Sequence, residues 1–395
     1  MNRRAAILTF LFSLFSFIFS SKAANMPKNT QVQFALKFFF DLVNDLPSGN
    51  IIISPSSVYL ALSLLYNGAK GLTQKEMSQL LETQDLELET LNQDNLELQT
   101  ILSNPDSKVT LSIANSLWVK SGVYIYPSFI ESLQYFYKAE ITNLDFTDPK
   151  SVIIINDWVK KKTNDKITSI IDQISSEEVL FLINAIYFKG LWAQPFDKNL
   201  TQNKPFYQLN GSTKEVPLMR REGEYSYLEN DLFQAVSLPY SDQKLSLDIF
   251  LPQKTINFKT FLAQFNLEKW QQWLPKLRER KGTVEIPRFK LEYQITLNSI
   301  LQKLGMNKAF QANQADFSGL TNIPVHVSDV IHKTYLEVNE EGTEAAAVTS
   351  IGVRAMSIPL PTEPFIFTAD RPFVCVLREH KTGSLLFMAT IVNPS

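Results

Sequence analysis

The chain is poor in the residues on which most protein chemistry draws. It has one cysteine in 395 residues, Cys375, so no intrachain disulfide can form. That cysteine lies in the apolar run Pro372-Phe373-Val374-Cys375-Val376-Leu377, the setting of a buried core thiol. There are three histidines, His326, His332 and His380, and no Cys/His group has metal-site spacing. The sequence contains no Gly-x-Ser-x-Gly elbow, no His-Glu-x-x-His and no phosphate-binding glycine loop. An exported hydrolase would have to be built around His332, and nothing near it supplies a nucleophile motif. Glycine is sparse, at 13, which disfavours repeat and collagen-like architectures. The net charge of −2 provides no global field toward nucleic acid.

What remains is an ordinary globular composition, 45% hydrophobic and 20% charged, long enough to build a large core without covalent staples. At the N-terminus Arg3 and Arg4 precede an apolar run over residues 5–19, and Ser21-Lys22-Ala23 offers small residues around a cleavage point. This is the pattern of a secretory signal, residues 1–23, removed after Ala23. The run is short for a membrane span. The mature chain, residues 24–395, is therefore expected outside the cell (in the periplasm if the source is a Gram-negative bacterium), with no membrane association after cleavage. Asn199-Leu200-Thr201 and Asn210-Gly211-Ser212 match the acceptor pattern for N-glycosylation in a host that performs it.

Along the mature chain, helical periodicity is read over residues 31–46, ending at Pro47. A helix opens at Pro55 with Ser54 as its cap and runs toward Gly68. Residues 79–103 also read as helix and are acidic through Glu82, Asp85, Glu87, Glu89 and Asp94. Residues 126–137 and 155–167 are two further helices. Lys160, Lys161 and Lys162 form a solvated face of the second. Strands are expected at 111–119, 139–146, 233–240, 245–251 and 282–289. Residues 179–188, nearly all apolar, read as a strand buried on both faces. Asn184 interrupts that run and must find hydrogen-bond partners there. Helices and strands interleave irregularly, without repeats or a Gly/Ser linker, which predicts one α+β domain.

The segment from Glu337 to Pro364 differs from the rest. Glu340-Glu341-Gly342-Thr343-Glu344-Ala345-Ala346-Ala347 leads into Ser350-Ile351-Gly352-Val353-Arg354-Ala355-Met356-Ser357, and Pro359, Pro361 and Pro364 then exclude helix. Read with period two, Thr343, Ala345, Ala347, Thr349, Ile351, Val353 and Ala355 share one uncharged face. Glu344 and Arg354 lie on the other. Small residues at the start let such a strand slide between neighbours without overpacking. The segment fits two states, an exposed loop over residues 340–364 and an inserted strand.

These residues resemble the reactive-loop hinge of the serpins. Further matches are Ile53-Ser54-Pro55-Ser56-Ser57 with Asn67-Gly68-Ala69, Ala114-Asn115-x-Leu117-Trp118, Asn184-Ala185-Ile186-Tyr187-Phe188-Lys189-Gly190-x-Trp192, and Ala369-Asp370-Arg371-Pro372-Phe373. In the last, Arg371 stands where the family more often has histidine. The resemblance covers nearly all of residues 30–393. It implies the serpin fold, a single α+β domain with a large central, mostly antiparallel sheet, further sheets, about nine helices and an exposed reactive loop. It also implies an inhibitor rather than an enzyme, with no catalytic residue, metal or cofactor. A serine protease would attack the loop as substrate, and the cut loop would enter the central sheet as a new strand before the acyl-enzyme is hydrolysed. By the family's usual loop spacing the scissile bond follows Met356, with Ser357 next, implying an elastase- or chymotrypsin-like target. The alternative Arg354–Ala355 bond implies a trypsin-like one. The hinge is Glu340 to Ala347. Ser54, Ser57, Asn184 and His332 would form a polar cluster where the sheet parts, with Trp192 and Glu340 at its top. The acidic 79–103 region argues against activation by sulfated polysaccharide. A monomer is expected, with a covalently bound protease as partner and no nucleic acid. The alternative within the family is a non-inhibitory carrier or chaperone. Such members often carry a charged or bulky hinge, which Thr343 and Ala345 to Ala347 lack.

Overall fold

The computed structural model describes residues 28–45, 49–103, 108–343 and 363–394. In chain order the elements are α1 (Lys28–Asp45), β1 (Ile51–Ile53), α2 (Pro55–Tyr66), α3 (Gly71–Leu80), α4 (Leu88–Ser103), β2 (Val109–Lys120), α5 (Pro127–Tyr137), β3 (Glu140–Leu144), α6 (Lys150–Lys162), β4 (Leu180–Leu191), β5 (Gln202–Tyr207), β6 (Thr213–Glu229), β7 (Phe233–Pro239) and β8 (Leu245–Pro252). They continue with α7 (Phe258–Leu262), α8 (Leu267–Trp273), β9 (Arg278–Pro287), β10 (Phe289–Thr296), α9 (Asn298–Lys303), β11 (Asp329–Val338), β12 (Gly342–Thr343), β13 (Phe365–Thr368), β14 (Phe373–Glu379) and β15 (Leu385–Ile391). Nine α-helices thus lie among the described residues, in one α+β unit.

Local chemistry explains most boundaries. Ser54 caps α2, its Oγ accepting from the Ser57 N–H at 3.3 Å, with Pro55 at the first helical position. The helix read over 79–103 is in fact two, α3 and α4. Glu82 adopts φ +57°, a left-handed conformation that no α-helix passes through, and Thr83 N–H closes the break on the Ser78 carbonyl at 2.9 Å. The helix read over 155–167 instead occupies Lys150–Lys162. It starts directly after Pro149 and stops at Thr163, before the left-handed pair Asn164 and Asp165.

Among the described residues fifteen strands form two sheets. The nine-stranded sheet runs β1-β15-β14-β8-β7-β6-β9-β13, with β5 on β6. The six-stranded sheet runs β10-β11-β4-β2-β3, with β12 on β4. This second sheet is mixed, with three of its five strand pairings antiparallel. β10 pairs with β11, and β2 and β12 with β4, in antiparallel fashion, whereas β11 with β4 and β2 with β3 are parallel.

Alternation along the strands divides the core. Ile186, Phe188 and Leu336 of the six-stranded sheet meet Leu238, Ile249, Leu251 and Val284 of the nine-stranded sheet. On the opposite face Phe181, Ile183, Tyr187, Ile331 and Tyr335 pack under Ile155 and Val159 of α6. The largest cluster joins α1, α2 and α5 to the other end of both sheets through residues such as Phe38, Leu62, Leu133, Leu182 and Val376. Cys375 belongs to the inter-sheet core at 2% exposure, and burial pushes its thiol up to about 12. Arg371 donates to the Pro252 carbonyl at 2.9 and 2.7 Å and to Asp370 at 2.7 Å.

Candidate functional site: a parallel seam with a polar underside

β4 is apolar enough to lie in the middle of a sheet; every residue from Leu180 to Phe188 is buried. Its neighbour β11 runs parallel to it, with Asp329 opposite Phe181 and Leu336 opposite Phe188. Midway along this seam the apolar pattern breaks. Asn115 on β2, Asn184 on β4 and His332 on β11 occupy one register row, Asn184 opposite both of the others. All three are buried.

Beneath this row lies the N-terminus of α2. The Ser54 N–H donates to His332 Nε2 at 3.0 Å, so the ring proton resides on Nδ1, which donates to Asn184 Oδ1 at 2.5 Å. The Asn184 amide donates to Ser57 Oγ at 2.5 Å, to the Ser57 carbonyl at 3.3 Å and to Asn115 Oδ1 at 2.5 Å. Ser54, Ser57, Asn184 and His332 therefore meet in one network. Burial pushes the His332 pKa down to about 3, against a weaker upward pull from its bond to Asn184. The imidazole is neutral and fully enclosed, which gives it no access to a substrate.

At the upper end of the seam the chain leaving β11 reverses. Asn339 N–H donates to the Gly342 carbonyl at 2.8 Å, and the Asn339 side chain accepts from the Glu341 N–H at 3.0 Å. The chain then returns along β4, with Gly342 opposite Leu191 and Thr343 opposite Gly190. Trp192 anchors the turn. Its ring stacks on Tyr240 at 4.4 Å, its Nε1 donates to the Asn339 carbonyl at 2.9 Å, and its N–H donates to the Glu341 carbonyl at 3.0 Å. The Phe196 N–H donates to the Glu340 carbonyl at 2.7 Å. The buried Glu340 carboxylate accepts from Thr201 Oγ at 2.8 Å and lies 3.8 Å from Arg288. Glu341 pairs with Lys198, which raises the ammonium's pKa.

Glu344, Ala345, Ala346, Ala347, Arg354, Ala355, Met356 and Ser357 lie outside the described residues, as do residues 1–23; of Thr343 the backbone is described. Beyond the loop, Phe365 begins β13. Its ring stacks on Tyr227 at 3.8 Å, and Arg280 donates to the Glu363 carbonyl at 3.2 Å.

Several members of the site escaped sequence reasoning. Asn115 carried a signal, since it interrupts the apolar face formed by Leu111, Ile113, Leu117 and Val119. Lys198, Thr201 and Arg288 carried none, because only the tertiary fold brings them to the turn. Among the described residues no cluster could hold a metal ion, and no helix is long and apolar enough to cross a membrane.

Comparison with known proteins agrees with this geometry. Residues 29–394 match the family described as Serpin (serine protease inhibitor). The human leukocyte elastase inhibitor is 33% identical, covering 93% of this chain and 99% of that protein. Among solved structures, the thermophilic serpin Tengpin in its native state is 31% identical with a TM-score of 0.84, over 93% of this chain and 94% of that one. Human thyroxine-binding globulin, complexed with its ligand, is 27% identical with a TM-score of 0.85, over 93% and 98%. The chain belongs to the serpin family, whose inhibitory members block proteases rather than act as enzymes.

Proposed function

We propose that this chain is an irreversible suicide-substrate inhibitor of serine endopeptidases. A protease attacks the reactive loop at Met356–Ser357, or alternatively at Arg354–Ala355. The freed segment then enters the six-stranded sheet between β11 and β4 and carries the acyl-enzyme with it. The reading rests above all on the seam. β11 and β4 pair in parallel, and the chain leaving β11 turns at once and starts down β4 in the antiparallel sense. A strand continuing on that course replaces one parallel ladder with two antiparallel ones, which are more stable per residue. It also buries the uncharged face of residues 343–355. The intact fold is then a kinetically trapped state.

The polar row serves the same end. Strands that part over an apolar seam expose it, whereas Asn184, His332 and Asn115 can exchange hydrogen bonds with an incoming backbone. A carrier role, as in the thyroxine-binding relative, is the competing reading. The small hinge residues Thr343 and Ala345 to Ala347 favour the inhibitor. The protein acts as an exported monomer after loss of residues 1–23, and the acidic region 79–103 disfavours a sulfated polysaccharide activator. Incubation with elastase, chymotrypsin or trypsin followed by denaturing electrophoresis is the test. A covalent complex supports the proposal, and cleavage without a complex refutes it.

A further inference from the structure

α2, α4 and α5 contact one another pairwise, and part of their junction is polar. Leu91, Leu98 and Leu102 bury the apolar part of α4, but Asn92, Asn95 and Gln99, three and four residues apart on one side of the helix, are buried with them. α2 presents Tyr59 and Ser63, with Asn67 at its C-cap, at four-residue intervals along one face. Direct bonds close most of this layer. Asn67 and Asn92 exchange side-chain hydrogen bonds at 3.1 and 2.8 Å. The Tyr137 hydroxyl of α5 donates to Asn92 Oδ1 at 2.7 Å and accepts from Asn95 Nδ2 at 3.2 Å. Gln99 Nε2 donates to the Phe136 carbonyl at 2.6 Å.

Three buried atoms of the layer receive no partner from the protein: the Tyr59 hydroxyl, Ser63 Oγ and Asn95 Oδ1. All three side chains gather about the Tyr137 hydroxyl. Asn95 reaches it with its own amide. Ser63 is tied to it through Asn67, whose amide donates to the Ser63 carbonyl at 2.8 Å and to Tyr137 at 3.4 Å. Burial holds the Tyr59 phenol above its usual pKa range, and Tyr137 and Asp94 lie near enough to push it further. Tyr59 therefore keeps its proton and is a donor.

We propose that the junction of α2, α4 and α5 is a water-binding site, in which one internal water accepts from the Tyr59 and Ser63 hydroxyls and donates to Asn95 Oδ1. Two donors and one acceptor match the three or so hydrogen bonds of a buried water. An apolar ligand would leave all three atoms bare, and a cation would enter with no carboxylate among its ligands. With the water in place every member of the layer is satisfied, and such a network holds a single arrangement of its helices. Turning α4 by one residue about its axis would bring Gln93, Leu96 and Thr100 inward in place of Asn92, Asn95 and Gln99. The site thus fixes which face of α4 is buried, and with it the outward direction of Glu89 and Glu97, both exposed. It stands apart from the seam and the loop, and holds whether or not the protein traps a protease.

Electron density for the crystallised protein tests occupancy directly. A peak within hydrogen-bond distance of all three atoms is expected, and its absence in a map that shows other buried waters overturns the site. Urea unfolding of Tyr59→Phe, Ser63→Ala and the double variant tests whether one ligand joins the two hydroxyls. Each single substitution is expected to lower the folding constant about five- to tenfold, the effect of one hydrogen bond of ordinary net strength. The double variant should lower it by clearly less than the product of the two. Unchanged or raised stability in both single variants, the result for hydroxyls that had no partner to lose, overturns the proposal. A double variant equal to the product also overturns it, because the hydroxyls then act independently. A wild-type midpoint that differs between sodium and potassium chloride, with no such difference in the double variant, assigns the site to a cation and refutes the water. The crystal measurement needs no variant and decides the matter if a substitution prevents folding.

Discussion

Gly342 and Gly190 meet at the top of the seam with no room for a side chain on either. A Cβ on Gly342 would overlap the Gly190 carbonyl oxygen and lie 2.7 Å from Leu191 Cα and 2.8 Å from Trp192 N, all backbone atoms that cannot move aside. Gly342 also has φ +142°, a conformation open to glycine and strained for other residues. A Cβ on Gly190 would lie 2.9 Å from both the Phe188 and Tyr240 rings.

The first prediction follows from that contact. Gly342→Ala is expected to lift the hinge from β4 and slow strand entry, so that hydrolysis outruns trapping. The number of inhibitor molecules consumed per protease complex should rise about tenfold, the effect of roughly 1.4 kcal/mol on the partition. Densitometry of complex against cleaved chain on denaturing gels measures this ratio, and an unchanged ratio refutes the prediction.

His332 gives the fold a pH dependence of definite sign. Its pKa is held at about 3 in the native state and lies near 6.5 in the unfolded chain, so between those values the unfolded state binds the extra proton. Stability from this group is complete above about pH 6.5 and is lost as pH falls toward 3, by about 1.4 kcal/mol per pH unit at the steepest. Urea midpoints at pH 7.5, 6 and 5 should fall in sequence for the wild type. They should fall by less in His332→Gln, whose amide can still accept from Ser54 and donate to Asn184.

Asn115 completes the polar row, and its removal strands one N–H of the Asn184 amide in the sheet interior. Asn115→Ala is expected to cost about 1–3 kcal/mol, the penalty for a buried donor left without its acceptor. Asn115→Asp keeps the acceptor but adds a buried charge, and should be worse. Chemical denaturation at neutral pH ranks the three proteins.

Cleavage within the loop should stabilise the molecule. If the freed segment becomes a strand between β11 and β4, the melting temperature of the nicked protein rises by more than about 10 °C, several times the shift that 1 kcal/mol produces in a large domain. Mass spectrometry of the released C-terminal fragment locates the cut. A fragment beginning at Ser357 after elastase or chymotrypsin treatment supports Met356. One beginning at Ala355 after trypsin, with a trapped complex, supports Arg354.

What could be read in the chain before its structure differed from element to element. The continuous apolar run containing Asn184 betrayed a central strand and a polar point within it, because burial on both faces leaves no other place for such a run. Ser54-Pro55 marked the start of α2 because capping is local chemistry. The break at Glu82 was not visible, since Leu- and Glu-rich sequence on either side has good helix propensity and tertiary packing imposes the left-handed residue. The 17-residue strand β6 was also missed. Its consecutive charged residues, Lys214-Glu215 and Arg220-Arg221-Glu222, hide a period-two pattern, and its longest ladder is with β9, which lies far along the sequence. The mixed character of the six-stranded sheet depended likewise on long-range pairing that periodicity does not encode.

The pairing of β1 with β15 has a bearing on biosynthesis. Ile51 lies opposite Thr390 and Ile53 opposite Met388, so the first of the described strands finds its ladder on the last of them. The nascent chain must hold Ile51, Ile52 and Ile53 unpaired until β15 has been synthesised. During that interval α1 and α2 lack one of the strands against which they dock. Closure of so large a sequence separation is slow and leaves sticky surface uncovered meanwhile. Truncation of even the final strand should therefore abolish soluble expression.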